Sequence, residues 1–413
     1  MRVCLYSFVL FLYRGLIRLA ALFQSKAKLM NEGQIKVWDG LEKQFNKNTR
    51  PVAWFHTASM GEFEQGRPII EAYKKENPTH FVLVTFFSPS GYEVRKNYAE
   101  ADYVSYLPLD GYFTSSRFLD LVKPSLAVFV KYEFWHYYLT GLQKRSIPTL
   151  LVSAIFRSNQ VFFKWYGGFY RRLLDCFTHL FVQDQASADL LQRANVSVAG
   201  DTRFDRVLDN LKNPISWDFL TEFVNNSEFM VVGSAWQADM DVLIPIINSK
   251  KYPFKWVIAP HEIHAEELKS WEDKIDLTVS YSKGPVRENA DVLFVNEVGR
   301  LANLYRGASF AYIGGAFGDG LHNTLEAAVF GPTVFFGNKN YQKFKEARDL
   351  IELGLAFPIG NSAELDQAMR VIYEDDQTFV NKQVQSRTFV QLQAGATERI
   401  MEFVRNLGVD GRK

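Results

Sequence analysis

Residues 52–75, VAWFHTASMGEFEQGRPIIEAYKK, hold the pattern that decides the fold. Four apolar residues of buried-strand length (52–55) run into a short polar turn, which opens an amphipathic helical stretch (61–75). The same unit then recurs. Apolar runs at 81–86, 126–130, 149–154, 179–182 and 196–199 alternate with helical stretches at 113–122, 133–144, 162–174 and 186–194. Such alternation predicts parallel strands covered by helices on both faces. Residues 205–228 are polar, with Asn210, Asn213, Pro214, Asn225 and Asn226, and read as a linker. The alternation restarts at 229–232 and continues at 255–259, 277–280, 292–295, 310–313 and 333–336, and residues 362–407 read as wholly helical. No short-period repeat is present. The expectation is an α/β chain of two Rossmann-like parallel-sheet domains facing a cleft. A segment at 1–30 precedes domains at 31–205 and 229–395, joined by 206–228, with a helix at 396–413 closing the chain. Ligands of such sheets bind beyond the carboxyl ends of the strands, so the strand-to-helix turns are the places to search.

Composition removes several classes. The 47 Lys and Arg balance 46 Asp and Glu to a net charge of +1, which excludes a globally basic nucleic-acid binder. Two cysteines, Cys4 and Cys176, are too few for a disulfide framework or a Cys-rich zinc site and suit a reducing compartment. The length accommodates two ordinary domains. The 35 Phe, 19 Tyr and 8 Trp exceed what two ordinary cores need and point to apolar surface elsewhere.

That surplus begins at the first residues. Residues 3–13, VCLYSFVLFLY, carry no charge, and apolar character resumes to Phe23 around Arg14 and Arg18. The uninterrupted run is shorter than the ~20 residues needed to cross hydrocarbon. Residues 1–31 hold five bases and no acid, so the remainder of the chain carries −4. An interfacial or shallowly inserted anchor on an anionic membrane fits best. A cleaved signal peptide and a buried core helix are the competing readings. The bases after the apolar run favour a cytoplasmic body.

Six turns carry polar chemistry. In HTASMGE (56–62), Ser59 and Glu62 form a capping-box pattern, or Glu62 is a general base aimed into the cleft. SPSG (88–91) offers Ser88 and Ser90 at a small-residue mouth. KYEFW (131–135) sets Glu133 beside a cation and aromatic rings, as a sugar site or as a helix start with a buried Trp. GSAW (233–236) offers Ser234 and Trp236. In APHEIH (259–264), His261 and His264 lack a third ligand at suitable spacing, so no metal site is expected. GGAFGDGLHNTLE (314–326) is a glycine-rich loop running into a helix expected near His322. Gly315 and Gly320 would let the backbone approach a ligand, helix N–H groups would face a phosphate, and Asn323 and Glu326 would face a nucleotide.

HTASMGE, SPSGYE, the E-x-W element, VAGDTRFDRV, GSAW and GG-x(4)-G-x-HN-x-LE occur in order at compatible spacing. As a set they resemble 3-deoxy-D-manno-octulosonic acid (Kdo) transferases of lipopolysaccharide assembly, from the N-terminus to about Pro358. The resemblance implies GT-B architecture with an N-terminal membrane-associated helix. It implies transfer of Kdo from CMP-Kdo to a lipid A precursor, lipid IVA, at the cytoplasmic face of the inner membrane, with no cofactor, no metal and no nucleic-acid partner. It places the catalytic carboxylate at Glu62 and the acceptor side at Ser59, Ser88, Ser90 and Glu133. The donor side falls at Ser234, Trp236, His261, Gly315, Gly320, Asn323 and Glu326, with Arg203 or Lys339 as a phosphate contact. The chain departs from the family pattern at Lys131, where an acid is usual, and at His136-Tyr137, where Pro-Asn is usual. It also departs at Leu321, in place of a glycine, and before His261, where an Arg is absent. Two rivals remain. One is another GT-B transferase using a UDP- or ADP-sugar on a lipid or oligosaccharide. The other is a non-catalytic two-lobed binding protein.

Overall fold

Seven parallel strands form the sheet of the first unit: β1 (Val52–Thr57), β2 (Phe81–Phe86), β3 (Tyr103–Tyr106), β4 (Pro124–Val130), β5 (Thr149–Ala154), β6 (His179–Val182) and β7 (Val196–Val198). Their spatial order is 3-2-1-4-5-6-7, so the chain reverses direction across the sheet between β1 and β4. The computed structural model describes residues 2–212, 217–284, 287, 289–318 and 320–408; Asn213, Pro214 and Asp319 lie outside them. This first unit comprises the residues up to Arg206 together with those from Ala394 onward.

Every residue of β1 is buried, because helices cover both faces of the sheet. Side chains alternate across a strand, so Trp54 and Phe55 enter different cores. Trp54 packs with Phe118, Phe129 and Tyr138. Phe55 lies with Phe63, Ile70 and Tyr73 of the helix Met60–Glu76. The helix Ala396–Asn406 returns to this second core through Ile400, Met401 and Val404. Its start is tied down by Asp205, whose carboxylate accepts from Gly395 N at 2.5 Å and from Thr397 N and Oγ1 at 2.7 Å.

The second unit, Val207–Gln393, has its own parallel sheet. Its strands are β8 (Phe229–Ala235), β9 (Lys255–Pro260), β10 (Val279–Tyr281), β11 (Val292–Phe294), β12 (Phe310–Ile313), β13 (Thr333–Gly337) and β14 (Ala356–Ile359), in the order 10-11-9-8-12-13-14. Here the reversal falls between β8 and β12. Each unit is therefore a doubly wound α/β domain of GT-B type.

Several elements differ from the sequence expectation. β3 (YVSY) and β14 (AFPI) are additional strands. They are short and polar or Pro-containing, and both are edge strands, which need no continuous apolar run. The stretch read as a linker holds the helices Thr202–Lys212 and Asp218–Val224. Residues 162–174 split into a 3-10 turn at Val161–Phe163 and a helix Gly168–Leu174. The C-terminal stretch is three helices: Ser362–Tyr373, Asp376–Gln393 and Ala396–Asn406.

Helix α1 (Arg2–Ala20) is unbroken through Arg14, and α2 (Ser25–Phe45) comes next. At 19 residues α1 is about 28 Å long, so by length and composition alone it could cross a bilayer. Its contacts say more. Tyr6, Ser7, Leu10, Ile17 and Ala20 recur at helical spacing and are half-buried on the body. Tyr6 OH donates to Asp110 Oδ2 at 2.8 Å, and Ser7 Oγ lies 2.6 Å from Tyr137 OH. Asp110 is buried and also accepts from Tyr137 N and Tyr138 N at 3.0 and 3.2 Å, capping the helix His136–Lys144. The opposite side of α1, with Leu5, Phe8, Phe11, Leu12, Leu16 and Leu19, is exposed.

Candidate active site

The carboxyl ends of β1 and β4 adjoin at the reversal point of the first sheet, where α/β domains bind ligands. Glu62 comes after β1 in the first turn of helix α3 (Met60–Glu76), and its Oε2 accepts the Ser59 N–H at 3.0 Å. The capping role is therefore real. It does not exclude chemistry, since the cap uses one carboxylate oxygen. The Glu62 carboxyl is held above the usual carboxylate range, first by burial and then by the negative charge of Glu133; His56 and Lys131 pull it back only in part.

Glu133 comes after β4 and is buried. Its Oε2 receives Trp135 Nε1–H at 2.6 Å and lies 3.0 Å from His56 Nε2. A carboxylate oxygen demands a proton on the nitrogen facing it, so His56 carries its proton on Nε2. Its Nδ1 lies 2.9 Å from Thr85 Oγ1 and 3.1 Å from the Thr85 carbonyl oxygen, and Thr85 Oγ1 accepts Trp54 Nε1–H at 2.8 Å. A buried chain from Trp54 to Glu133 fixes that carboxylate from beneath. Lys131, at the family's missing acid, sits in the left-handed region (φ 69°), a conformation costly for a residue with a Cβ. Its ammonium lies 6.0 Å from the Tyr132 ring centre. The His136-Tyr137 departure has a local use: Tyr137 meets Ser7, and the His136 ring packs at 5.7 Å from Tyr6, so both hold α1.

Ser88 and Ser90 stand at the end of β2, their hydroxyls 2.9 Å apart, and Ser88 N donates to Ala58 O at 2.7 Å, joining this turn to the β1 turn. Arg203 belongs to the first unit, and its guanidinium bonds Asp201 Oδ2 through Nε and Nη2 at 2.9 and 2.6 Å.

In the second unit, Ser234 and Trp236 lie at the end of β8, and Gly314 and Gly315 at the end of β12, again at the reversal point. The two loops touch closely. A Cβ on Gly314 would lie 2.1 Å from Ser234 O, and Gly315 has φ +93°, so both positions need glycine. Asp239 binds them together. Its Oδ2 accepts Trp236 N–H and Gly315 N–H, each at 3.0 Å, and its Oδ1 accepts Tyr312 O–H at 3.2 Å. Over this knot the Trp236 and His261 rings stack at 4.3 Å, and His261 lies 4.6 Å from His322. Burial, with His261 adding to it, pushes the His322 imidazole down to about 4, so it is neutral at pH 7. A neutral ring can accept Trp236 Nε1–H, 3.4 Å away. Gly320 N donates to Gly315 O at 3.1 Å and closes the loop.

The helix expected near His322 begins later. It spans only Leu325–Ala328, because Asn323 Oδ1 takes the Leu325 N–H and the His322 N–H is spent on Gly314 O. Four residues sum too few peptide dipoles to make a strong anion site. Asn323 Nδ2 donates to Glu326 Oε1 at 3.2 Å, so these two polar groups form one pair facing the loop. His264 pairs with Glu262 at 2.8 Å on the surface, and Lys339 lies 5.8 Å from the centre of the Phe317 ring.

Sequence reasoning missed His56, Thr85, Asp110 and Asp239. The first three are single polar residues on or beside buried strands, and Asp239 sits in an ordinary first helical turn. No local spacing marks any of them.

Asp239 has a measurable consequence. Burial pushes its carboxyl from 3.8 up to about 6. Between those values the folded protein keeps a proton that the unfolded chain has released, so stability falls as pH rises through that window. The loss is on the order of 3 kcal/mol. Asp239→Asn keeps an oxygen for the two N–H groups and offers its amide to Tyr312. Its urea midpoint is expected to vary less between pH 4.5 and 7 than that of the native chain; an equal variation would remove Asp239 as the source.

Residues 36–206 match the sequence family described as 3-deoxy-D-manno-octulosonic-acid transferase (kdotransferase). A 3-deoxy-D-manno-octulosonic acid transferase of Chlamydophila psittaci is 26% identical over 330 residues, covering 76% of each chain. One from Aquifex aeolicus is 28% identical over 334 residues, covering 78% of this chain and 86% of the relative. In three dimensions, the UDP-GlcNAc 2-epimerase of Neisseria meningitidis superposes with a TM-score of 0.63 at 15% identity, over 87% of this chain and all of that one, a likeness of fold alone. With the Glu62 turn inside the matched segment, the chain carries a stretch that matches the Kdo transferase model and resembles Kdo transferases, which are glycosyltransferases, over about three quarters of its length.

Proposed function

We propose that the chain transfers Kdo from CMP-Kdo to the lipid A precursor lipid IVA, with inversion at the anomeric carbon and with Glu62 as the general base. The observation that carries this reading is the Glu62 carboxyl at the end of β1, half-buried and raised by burial and by Glu133. A base poised closer to neutrality is better matched to removing a hydroxyl proton than an ordinary exposed carboxylate. The acceptor hydroxyl gives its proton to Glu62 and attacks the anomeric carbon as CMP departs, through an oxocarbenium-like transition state. Glu133, locked by His56 and Trp135, supports Glu62 and faces the acceptor, with Ser59, Ser88 and Ser90 beside it.

On the second unit, the Trp236–His261 stack suits the flat base of the donor, and the Asn323–Glu326 pair suits its ribose hydroxyls. Ser234 and the Gly315 and Gly320 turns are the candidates for the phosphate side of the donor. The test is turnover of CMP-Kdo with lipid IVA, followed by mass spectrometry of the lipid. CMP is expected to compete with the donor, and UDP and ADP are not; competition by UDP or ADP instead of CMP would favour a different sugar nucleotide.

The same proposal sets α1 along the cytoplasmic face of the inner membrane rather than across it. Its docked side is held by Asp110 and Tyr137, while Phe8, Phe11 and Leu12 on the other side are exposed. Each such side chain buried in lipid contributes about 1.5–3 kcal/mol. Replacing all three by Ser is expected to weaken binding to anionic liposomes by well over 100-fold, with an unchanged melting temperature. Undiminished sedimentation with liposomes would mean that another surface holds the membrane.

A further inference from the structure

Between the docked side of α1 and the carboxyl end of the first sheet lies a cavity of about 460 Å³. That is within the size range of small-ligand sites, about 300–1,000 Å³. Tyr6 and Leu10 of α1 form one wall; Phe134 and Trp135 after β4, with Val161 and Phe162, form the others. Among the described residues, Glu133 is the one charged group lining it. Tyr132, Gln160 and Tyr170 bring polar tips to the lining, while Tyr6 OH is given to Asp110 and Trp135 Nε1 to Glu133. The walls formed by Leu10, Phe134, Val161 and Phe162 are rings and aliphatic groups, which offer dispersion and bury apolar surface. They match hydrocarbon.

Two neighbouring features say which hydrocarbon. The cavity is lined by Glu133 and Trp135, which come after β4, the strand beside β1 whose turn carries Glu62, so a molecule inside it lies at the same end of the sheet as the candidate base. Its outer wall is α1, whose other side is exposed apolar surface; the helix carries Arg2, Arg14 and Arg18 and no acid, which suits a lipid with an anionic headgroup.

We propose that this cavity receives one hydrocarbon chain of the lipid acceptor, making α1 a wall of the acceptor site as well as an attachment to the bilayer. The inference deepens the proposed Kdo transfer and depends on the acceptor being a lipid. It also gives Leu10 and Val161 a role in choosing acylated over bare sugar acceptors.

Leu10→Trp and Val161→Trp fill the cavity from opposite sides, so a folding defect in one leaves the other. The full chain is assayed with lipid IVA and with the same disaccharide stripped of its acyl chains. The native chain is expected to favour the acylated acceptor by about 100-fold or more in kcat/KM, since each buried methylene is worth roughly four-fold. Both variants are expected to cut that preference at least 10-fold, through a raised KM for the acylated acceptor. A preference left intact in both variants overturns the slot, as does an equal loss on both acceptors. Weakened binding to phospholipid vesicles with the preference intact overturns it too, because the cavity would then serve the bilayer. If the native chain makes no Kdo product on either acceptor, the Kdo reading fails, and a fluorescent dodecanoate decides the slot separately. Saturable binding weakened at least 10-fold in both variants supports it, and equal binding in all three proteins ends it.

Discussion

Glu62→Gln is expected to lower turnover by about 100-fold or more while leaving folding and donor affinity close to native. The substitution is nearly isosteric, and its amide oxygen still accepts the Ser59 N–H that Glu62 Oε2 takes at 3.0 Å. What is lost is the ability to hold a proton at that atom. Loss of a cap would move the melting temperature and the rate together; loss of a base moves the rate alone. Measured kcat with CMP-Kdo and lipid IVA, beside thermal unfolding and calorimetric CMP binding, separates the two. Turnover within a few-fold of native would remove Glu62 from the role and leave it as a helix cap.

Glu133→Ala is expected to be the most damaging substitution to the first unit itself. It strips the partner from His56 Nε2 and Trp135 Nε1, at 3.0 and 2.6 Å, in a buried setting. Two stranded donors cost about 2–5 kcal/mol together, read as a lowered urea midpoint. Glu133→Gln is the informative companion. Its side-chain oxygen still accepts both donors, but the charge that raises Glu62 is gone. The Glu62 carboxyl then titrates lower. A base works only after losing its proton, so the acidic limb of kcat/KM moves to lower pH in this variant. An unmoved limb would show that the two carboxylates do not sense each other. A urea midpoint in Glu133→Ala equal to native would show that the buried chain from Trp54 contributes nothing to stability.

The legible part of the site is the part built from turns. Ser59 and Glu62, Ser88 and Ser90, and Gly314 and Gly315 stand at strand ends because a βα unit exposes the residues just past its strand, and the turn chemistry is written in adjacent residues. The illegible part is reached across the sheet. His56 lies in a wholly buried strand and reads as core, yet β1 and β4 are neighbours, so its ring meets a carboxylate 77 positions later. Asp239 meets Gly315, 76 positions away, for the same reason. The helix after the glycine-rich loop starts later than its residues suggest because Asn323, a good cap in sequence, delays the first turn to Leu325.

By itself the sequence determined the fold class, since a period of apolar run, turn and amphipathic stretch leaves parallel strands few other arrangements. It also carried the likeness to Kdo transferases and singled out Glu62 as a candidate base, through motifs whose order survives at low identity. The charge and apolarity of residues 1–23 were equally plain in it. Only the tertiary structure decided how α1 is used, because docking depends on Asp110 and Tyr137, more than a hundred positions away, meeting Tyr6 and Ser7. It alone decided that Glu133 is fixed from beneath by His56. Local patterns record what neighbours along the chain require of one another, whereas burial and charge at a site are set by whichever distant residues the sheet brings alongside.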